Sequence, residues 1–127
     1  MDADERRYKE ITHQIIGAGF DVSNELGVGY LEKVYENAMF AELCLRKLSV
    51  RQQVPITVRY KQIVVGDYVA DLVVEDLVLV ELKHVESLDD VHLAQCLNYL
   101  KATGLRVCLL INFGKEQVEW RRVVRDF

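Results

Sequence analysis

The sequence has 127 residues, 50% of them hydrophobic, and a formal net charge of −4. This length and composition predict one compact domain over residues 1–127 with an ordinary hydrophobic core, and they exclude a second domain. The longest uncharged apolar stretch, Val107–Ile111, is far shorter than the roughly 20 residues that span a bilayer, and the charged N-terminal segment MDADERRYKE contains no signal-peptide core. We therefore expect a cytoplasmic protein without a membrane partner.

Hydrophobic periodicity predicts two helices in the first 50 residues. The first extends over about residues 8–26 and ends at the glycines of LGVGY, and its apolar positions recur every three or four residues: Ile11, Ile15, Ala18, Val22 and Leu26. The second extends over about residues 31–47, with Glu32 and Tyr35 as neighbours one turn apart. Its predicted core face consists of Leu31, Val34, Ala38, Ala41 and Leu45.

Three strands are predicted next. The segment 54–60 alternates apolar and polar residues and is expected to be a half-exposed strand, with Pro55 indicating its beginning or a sheet edge. The segments 68–74 and 77–83 are nearly continuous apolar runs, which are typical of strands buried on both faces.

A third helix and two further strands complete the pattern. The helix has Ser87 or Asp89 as its N-cap, Gly104 just past its end, and a predicted core face of Leu93, Leu97 and Leu100. The segment RVCLLINF is a predicted buried strand, and QVEWRRVV is an alternating strand after a turn at Gly114 and Lys115. The order ααβββαββ predicts an α/β fold, with a mixed sheet sandwiched by helices.

Ionisable side chains interrupt the most apolar hairpin. Asp71 lies in its first strand, and Glu81 and Lys83 lie near the end of its second. A charge at the edge of a core is costly unless it is paired or binds a metal. A two-residue turn at positions 75 and 76 would point Asp71 away from the side that Glu81 and Lys83 share. We therefore predict an odd loop or a bulge, either of which would bring the three together.

Charge is distributed unevenly along the chain. Residues 46–66 contain five basic and no acidic side chains, whereas residues 67–90 contain eight acidic and one basic. This segregation suits a cation site beside a phosphate-binding surface, because Mg²⁺ prefers carboxylates and phosphates prefer Lys and Arg. Solvated faces of opposite sign would explain the same counts.

The cysteines and histidines do not indicate a metal site. Cys44, Cys96 and Cys108 are odd in number, form no CxxC motif and each have Leu or Val beside them, so we predict buried, reduced thiols. His92 and Cys96 share a helical spacing of four, but two ligands alone do not indicate zinc.

The D-x9-E-x-K spacing of Asp71, Glu81 and Lys83 resembles the signature of the PD-(D/E)XK nuclease superfamily, with Ala70 where that signature has Pro. The segment GYLEKVY also resembles the motif of the GxxExxY family within this superfamily. The segments VGDYVADLVVEDLVLVELK, AQCLNYLKATGLRV and LLINFG are similar to its other blocks, in the same order. This resemblance covers about residues 8–124. Ser23 and Val28 depart from it, because the family often has His and Pro there.

The resemblance implies a restriction-endonuclease-like core and Mg²⁺- or Mn²⁺-dependent hydrolysis of nucleic acid, expected to be DNA. The implied metal ligands are Asp71, Glu81 and the backbone carbonyl of Leu82, with Glu32 acting at greater distance through water. The other implied roles are orientation or deprotonation of water by Lys83, positioning of water or Lys83 by Gln95, and support from behind by Tyr35 and Tyr99.

Basic side chains offer candidate phosphate contacts. No aromatic-interleaved basic stripe and no helix suited to the major groove is visible in the sequence. The candidates are Arg46, Lys47, Arg51, Arg59 and Lys61, followed by Arg121, Arg122 and Arg125, and each also fits an ordinary surface charge.

Plainer interpretations stay open at this point. Asp71 and Lys83 would also suit a structural ion pair, Glu81 a solvated edge position and Glu32 a helix-dipole partner. Tyr35 and Tyr99 would suit core packing, which we favour over a catalytic role, and Gln95 would suit a polar cap. For the whole chain the alternatives are a binding module without useful turnover and a core that works as a homodimer.

Overall fold

A computed structural model describes residues 2–125. Over this range the chain forms a five-stranded mixed sheet in the order β1-β2-β3-β4-β5, in which β3 and β4 are parallel and the other neighbours are antiparallel. The predicted α/β fold with a restriction-endonuclease-like sheet is confirmed. Its elements are α1 (Ala3–Leu26), α2 (Glu32–Leu45), β1 (Val50–Tyr60), β2 (Ile63–Val74), β3 (Val78–Lys83), α3 (Asp90–Thr103), β4 (Val107–Asn112) and β5 (Glu119–Val124).

Helices cover both faces of the sheet. Helices α1 and α2 bury Ile15 and Met39 on one face, together with Leu109 of β4. Helix α3 buries Leu100 on the other face, together with Leu110 of β4. Strands β3 and β4 are therefore apolar on both sides, as their nearly continuous apolar runs predicted. None of the helices within residues 2–125 is long and apolar enough to cross a bilayer.

Residues next to each end of α3 determine where the helix begins and ends. Asp89, one of the two predicted caps, accepts hydrogen bonds from the backbone N–H groups of Val91 and His92, and His92 completes a capping box. Gly104 ends the helix in the left-handed conformation that glycine adopts readily.

The predicted core faces of α2 and α3 are wrong in part. Leu31 and Leu45 are 81% and 74% exposed, and the buried line of α2 runs through Tyr35 and Met39 instead. On α3, Leu97 is exposed. Both helices carry apolar side chains on more than one side, so periodicity does not decide which side meets the sheet. On α2, the side with the larger side chains, Tyr35, Met39 and Leu43, packs against the sheet.

The prediction of buried thiols holds for two of the three cysteines. Cys96 and Cys108 are buried, with sulfurs 2.9 Å apart, whereas Cys44 is exposed. Cys44 lies beside exposed Leu45, on the side of α2 that turns away from the sheet. The apolar neighbours in the sequence were therefore a poor guide to its burial.

Strands β1 and β2 are longer than predicted and form a projecting hairpin, whose outer part, residues 57–69, is called the arm below. Its tip exposes Tyr60, Ile63 and Val65, and the register shifts between Val58 and Arg59. The residues of β2 that were not predicted, 63–67, are mostly exposed and do not alternate apolar and polar side chains, so periodicity did not mark them as strand. Pro55 lies in β1, at the edge of the sheet as predicted.

The turn after β4 fixes the segment that follows Lys83. The Oδ1 of buried Asn112 accepts hydrogen bonds from the N–H groups of Val85 and Gly114, and its Nδ2 donates to the Val85 carbonyl at 2.9 Å. A Cβ at Gly114 would lie 2.5 Å from that carbonyl oxygen and 2.7 Å from the Val85 nitrogen. Only glycine allows this approach without displacing the backbone.

We expect Gly114→Ala to lower the free energy of unfolding by about 1–3 kcal/mol, because its methyl group would push against a backbone that Asn112 holds. Urea denaturation followed by circular dichroism measures this change. Gly66→Ala is the control, since its Cβ would meet only ordinary contacts, 3.6 Å from the Tyr68 ring. Equal midpoints for Gly114→Ala and the wild type would contradict the close approach.

Candidate active site

The β2–β3 hairpin opens at Asp71. A loop of three residues, 75–77, joins the strands and pairs Val74 with Val78 and Leu72 with Val80. This odd loop confirms the predicted register, whose continuation sets Asp71 opposite Glu81. Regular pairing between the strands ends at Leu72, so Asp71 and Glu81 lie where the strands part.

Side chains replace the missing backbone ladder at this opening. The N–H of Leu82 donates to the Oδ2 of Asp71 at 2.8 Å, and the N–H of Asp71 donates to the Oε1 of Glu81 at 3.2 Å. Each carboxylate thus binds the backbone of the opposite strand. The two acids are held beside one another in the gap between β2 and β3.

The side-chain alternation of β2 breaks at the same place. Ala70 and Val73 both pack on the α3 side, although residues three apart on a regular strand point to opposite faces. Within this break Asp71 reaches a cavity on the α2 side. Gln53, at the same level of β1, has a φ of 55° and lines the same cavity. The irregular backbone of both strands thus aims Asp71 towards α2.

A cavity of about 320 Å³ separates Asp71 from the start of α2. It brings Asp71 together with three other predicted site residues, Glu32, Tyr35 and Leu82. Glu32 is exposed at its rim. The residues that line the cavity are Glu32, Lys33, Tyr35, Glu36, Gln53, Asp71, Leu82, His84 and Phe113.

Glu36 is the acidic residue of this cavity that the sequence analysis missed. It is only 6% exposed, accepts hydrogen bonds from Lys33 at 2.9 Å and Gln53 at 2.6 Å, and also accepts one from Gln52. It follows Glu32 by four residues and so lies on the same side of α2. This spacing of four from Glu32 is the sequence feature that could have identified Glu36 as a further site residue.

Lys83 is positioned by α3. Its Nζ donates to the Oε1 of Gln95 at 2.8 Å, and the Nε2 of Gln95 donates to the hydroxyl of Tyr99 at 3.1 Å. Burial raises the pKa of Tyr99 to about 12, so the phenol stays protonated. The predicted neighbours Gln95 and Tyr99 therefore form a short chain of hydrogen bonds that ends at the ammonium group.

Tyr35 anchors the glycine-containing segment before α2. Its hydroxyl donates to the carbonyl of Gly27 at 2.5 Å and accepts from the N–H of Tyr30 at 3.3 Å, while its ring stacks on Phe113 with centroids 5.0 Å apart. Gly29 has a φ of 110°, in the region that favours glycine. These contacts set the position at which α2 begins, and with it the position of Glu32.

The comparison with known families agrees with this geometry. A family model described as the PD-(D/E)XK nuclease superfamily matches residues 9–123, which include Asp71, Glu81 and Lys83. The chain belongs to the PD-(D/E)XK nuclease superfamily. No curated protein and no solved structure matches it significantly. Nucleases of this superfamily generally use divalent metal ions, and membership implies nucleic-acid binding.

The two signature carboxyl groups lie in an environment that disfavours their ionisation. Burial raises the pKa of Asp71, and the charges of Glu36 and Glu32 act in the same direction, against the Leu82 amide and Lys83. Burial raises the pKa of Glu81 to about 8, and the adjacent Asp71 adds to the shift. The positive charge of Lys83 and the backbone N–H groups do not compensate for the ionisation of both acids. A bound divalent cation would supply the missing positive charge.

Two of the plainer interpretations of the PD-(D/E)XK signature are wrong. Within residues 2–125, Lys83 makes its polar contact with Gln95 rather than an ion pair with Asp71. Glu81 is 5% exposed and is therefore not a solvated edge residue. Glu81 is thus a buried acid, and Lys83 is held by α3 instead of by Asp71.

The signature residues suit a cation because of the type of their donor atoms, although their side chains are not already arranged around a metal position. Across residues 2–125 no group of three or more His, Cys, Asp or Glu side chains is arranged to hold a metal ion. The donors implied by the superfamily signature are instead two carboxylates and a backbone carbonyl, from Asp71, Glu81 and Leu82. Hard oxygen donors of this kind suit Mg²⁺ and Mn²⁺.

Several of the predicted phosphate contacts are engaged within the chain, among them Arg121, whose guanidinium lies 3.8 Å from Glu119. Arg46 forms ion pairs with Asp21 at 2.6 Å and Glu42 at 2.8 Å, and Arg51 pairs with Asp76 at 2.9 Å. These contacts leave the arginines less available to a ligand. Arg59 and Lys61 are exposed on the arm, and Lys47, Arg121 and Arg122 are exposed elsewhere.

Proposed function

We propose that this chain is a nuclease of the GxxExxY family that hydrolyses phosphodiester bonds of nucleic acid, with DNA as the substrate and Mg²⁺ or Mn²⁺ as the cofactor. The observation that carries the proposal is the pair of crossed contacts between Asp71 and Glu81 at the opening of the β2–β3 hairpin. It sets buried Glu81 beside half-buried Asp71, with Lys83 two residues beyond Glu81 on β3. Superfamily membership supplies the reaction class.

In the proposal, Asp71, Glu81 and the Leu82 carbonyl hold the cation, and Glu32 contributes from the cavity rim through water. A bound divalent cation makes water a stronger nucleophile and neutralises charge that develops on the phosphate. Glu36, deeper in the same cavity, adds negative charge that favours cation uptake.

Lys83 is the cationic group of the proposed mechanism. As an ammonium group it orients the attacking water and stabilises the negative charge of the phosphate in the transition state. Deprotonation of the water by Lys83 would instead require its neutral amine. Gln95 and Tyr99 act through Lys83 by holding its ammonium group in place. Tyr35 acts at greater distance, by fixing the start of α2.

A catalytically weak module that binds nucleic acid or protein is the second candidate. It is favoured by the lack of a preformed cage of three or more ligating side chains within residues 2–125, and by the net charge of −4. In such a protein Asp71 and Glu81 would share protons instead of a metal, and cleavage would be absent.

We expect purified protein with Mg²⁺ or Mn²⁺ to cleave at least one member of a panel of single-stranded, duplex and branched DNA and RNA, and EDTA to abolish this cleavage. Asp71→Asn should abolish it as well, because the amide is a poor ligand for the cation. Asp67→Asn is the matched control, since Asp67 is exposed on the same strand.

The outcomes of this assay separate the two candidates. Cleavage that persists in Asp71→Asn would overturn the assignment of the site. Binding of nucleic acid without cleavage by the wild type or either variant would favour the module.

A further inference from the structure

A groove of about 730 Å³ lies between α3 and the arm, on the far side of Gln95 from Lys83. Strands β1 and β2 of the arm form one wall, and α3 forms the other. Tyr99 and Gln95, which position Lys83, also line this groove, so it continues from the proposed site. The nuclease proposal makes no use of the groove beyond these two residues.

An aromatic platform lies in the arm wall. Tyr68 is 49% exposed, and its ring packs against the buried ring of Tyr99, with centroids 5.5 Å apart and an interplanar angle of 49°. A large, half-exposed ring supported from behind presents an apolar surface at a fixed position. Such rings are the surfaces on which nucleic-acid bases stack.

The charge of the groove suits phosphates. Arg59 on the arm and Lys101 on α3 both line it and are both exposed, and none of its eleven lining residues is acidic. This local charge contrasts with the acidic total of the chain. Asn98 adds an amide that can donate to and accept from base edges.

We propose that this groove binds a single-stranded segment of the nucleic-acid substrate and stacks an unpaired base on Tyr68. In a duplex the faces of the bases are covered by their neighbours, so only an unpaired base can use the platform. Arg59 and Lys101 contact the adjoining phosphates, and the strand continues past Gln95 towards Lys83. This inference rests on the proposed function, whose substrate class it specifies.

Fluorescence anisotropy with labelled oligothymidylate, in EDTA so that no cleavage occurs, tests the proposal. We expect Tyr68→Ala to weaken binding of the single strand by about 5- to 100-fold, which corresponds to the loss of one stacked base. Tyr68→Phe should bind like the wild type, because it keeps the ring. Tyr68→Leu keeps an apolar contact with Tyr99 and should bind as weakly as Tyr68→Ala.

Matched controls separate stacking from general effects. Tyr60→Ala removes an exposed tyrosine from the tip of the same arm, outside the groove, and should leave affinity unchanged. Arg59→Ala should weaken binding and lower the dependence of affinity on salt, as expected when a phosphate contact is lost. Duplex of the same length should bind equally to the wild type and Tyr68→Leu.

Wild-type affinity for the single strand in Tyr68→Leu, or an equal loss for duplex and single strand, would overturn the groove proposal. Failure of the proposed function has a different signature. Loss of single-strand binding in the Tyr68 variants, with no metal-dependent cleavage by the wild type, would keep the groove and reject the nuclease. Cleavage by Tyr68→Leu at the wild-type rate, with unchanged affinity for the single strand, would keep the nuclease and reject the groove.

Discussion

Replacing Lys83 with Ala is expected to lower the rate of metal-dependent phosphodiester cleavage by about 10²- to 10³-fold, the usual cost of removing one group that stabilises transition-state charge. Lys83 lies at the end of β3, where its ammonium group is held by the hydrogen bonds that run from Tyr99 through Gln95. The candidate phosphate contacts Arg46 and Arg51 are engaged by acids within the chain and do not substitute for it.

The same substitution should leave metal binding intact. Lys83 carries positive charge near Asp71 and Glu81 and lowers the pKa of both, so its removal leaves the carboxyl groups in place and their site more negative. Calorimetric titration with Mn²⁺ should therefore show uptake by Lys83→Ala that is at least as tight as uptake by the wild type. Single-turnover cleavage measures the rate independently of binding.

Lys115→Ala is the control for this experiment. Lys115 is an exposed lysine before β5, with a loose contact of 3.9 Å to Glu119, and its removal should change neither rate nor metal uptake. An unchanged cleavage rate in Lys83→Ala would reject the assigned role of Lys83. Loss of metal uptake would instead make Lys83 a structural support of the acids.

Glu81→Gln is expected to make the metal-free protein more stable than the wild type at pH 8, by up to a few kcal/mol. Glu81 keeps its proton in the folded protein to about pH 8, whereas in the unfolded chain it ionises near its ordinary pKa of 4.5. The stability that the protonated acid provides is fully present below pH 4.5 and is lost as the pH rises through 8. Gln carries no charge and avoids this loss, at about 1.4 kcal/mol for each pKa unit.

Divalent cations should reverse this order. Mn²⁺ binds the ionised carboxylates and stabilises the folded state more the tighter it binds, so it should raise the free energy of unfolding of the wild type more at pH 8 than at pH 5. Glu81→Gln lacks one ligand and should gain much less. Urea denaturation of both proteins at pH 5 and pH 8, with EDTA or with Mn²⁺, gives the free energy of unfolding under each of these four conditions.

Glu86→Gln serves as the control, because Glu86 is exposed in the segment between β3 and α3. It should behave like the wild type at both pH values. Equal stability of Glu81→Gln and the wild type at pH 8 without metal would contradict the burial of the Glu81 carboxyl group beside Asp71. Equal stabilisation of both proteins by Mn²⁺ would show that the ion binds elsewhere.

The charge pattern of the sequence has a partial counterpart in the structure. The acidic segment 67–90 contains Asp71 and Glu81, which meet at the opened hairpin. The basic segment 46–66 does not form one surface, because Arg46 and Arg51 pair with acids of the body while Arg59 lies on the arm. Segregated charge in the sequence therefore predicted the meeting of the acids, whereas the predicted single basic surface did not form.

Local interactions explain why some features were predictable. Asp89 and Gly104 bound α3 because a cap needs only its own turn of helix. The odd loop after Val74 follows from parity, since only one register brings Asp71 opposite Glu81. Gln95 and Tyr99 are neighbours because residues four apart on a helix always are.

Other features depend on contacts between distant segments. The buried face of α2 was misassigned because Leu45 and Met39 lie on different apolar sides of one helix, and only the sheet selects between them. Glu36 is buried because Gln52 and Gln53 reach it from β1. Residues 61–67 of the arm escaped prediction, because they are mostly exposed and do not alternate apolar and polar side chains.

The sequence by itself determined the order of elements and the signature Asp71, Glu81 and Lys83, because periodicity and residue spacing act along the chain. The hairpin register was predicted only from the requirement that these three side chains meet, which left an odd loop and a bulge as alternatives. Only the tertiary structure decided that buried Glu81 lies beside half-buried Asp71, that Gln95 holds Lys83 apart from them, and that a groove adjoins the site. Those features arise where β2 leaves β3 and the arm approaches α3, and no local pattern encodes the distance between segments that are far apart in the chain.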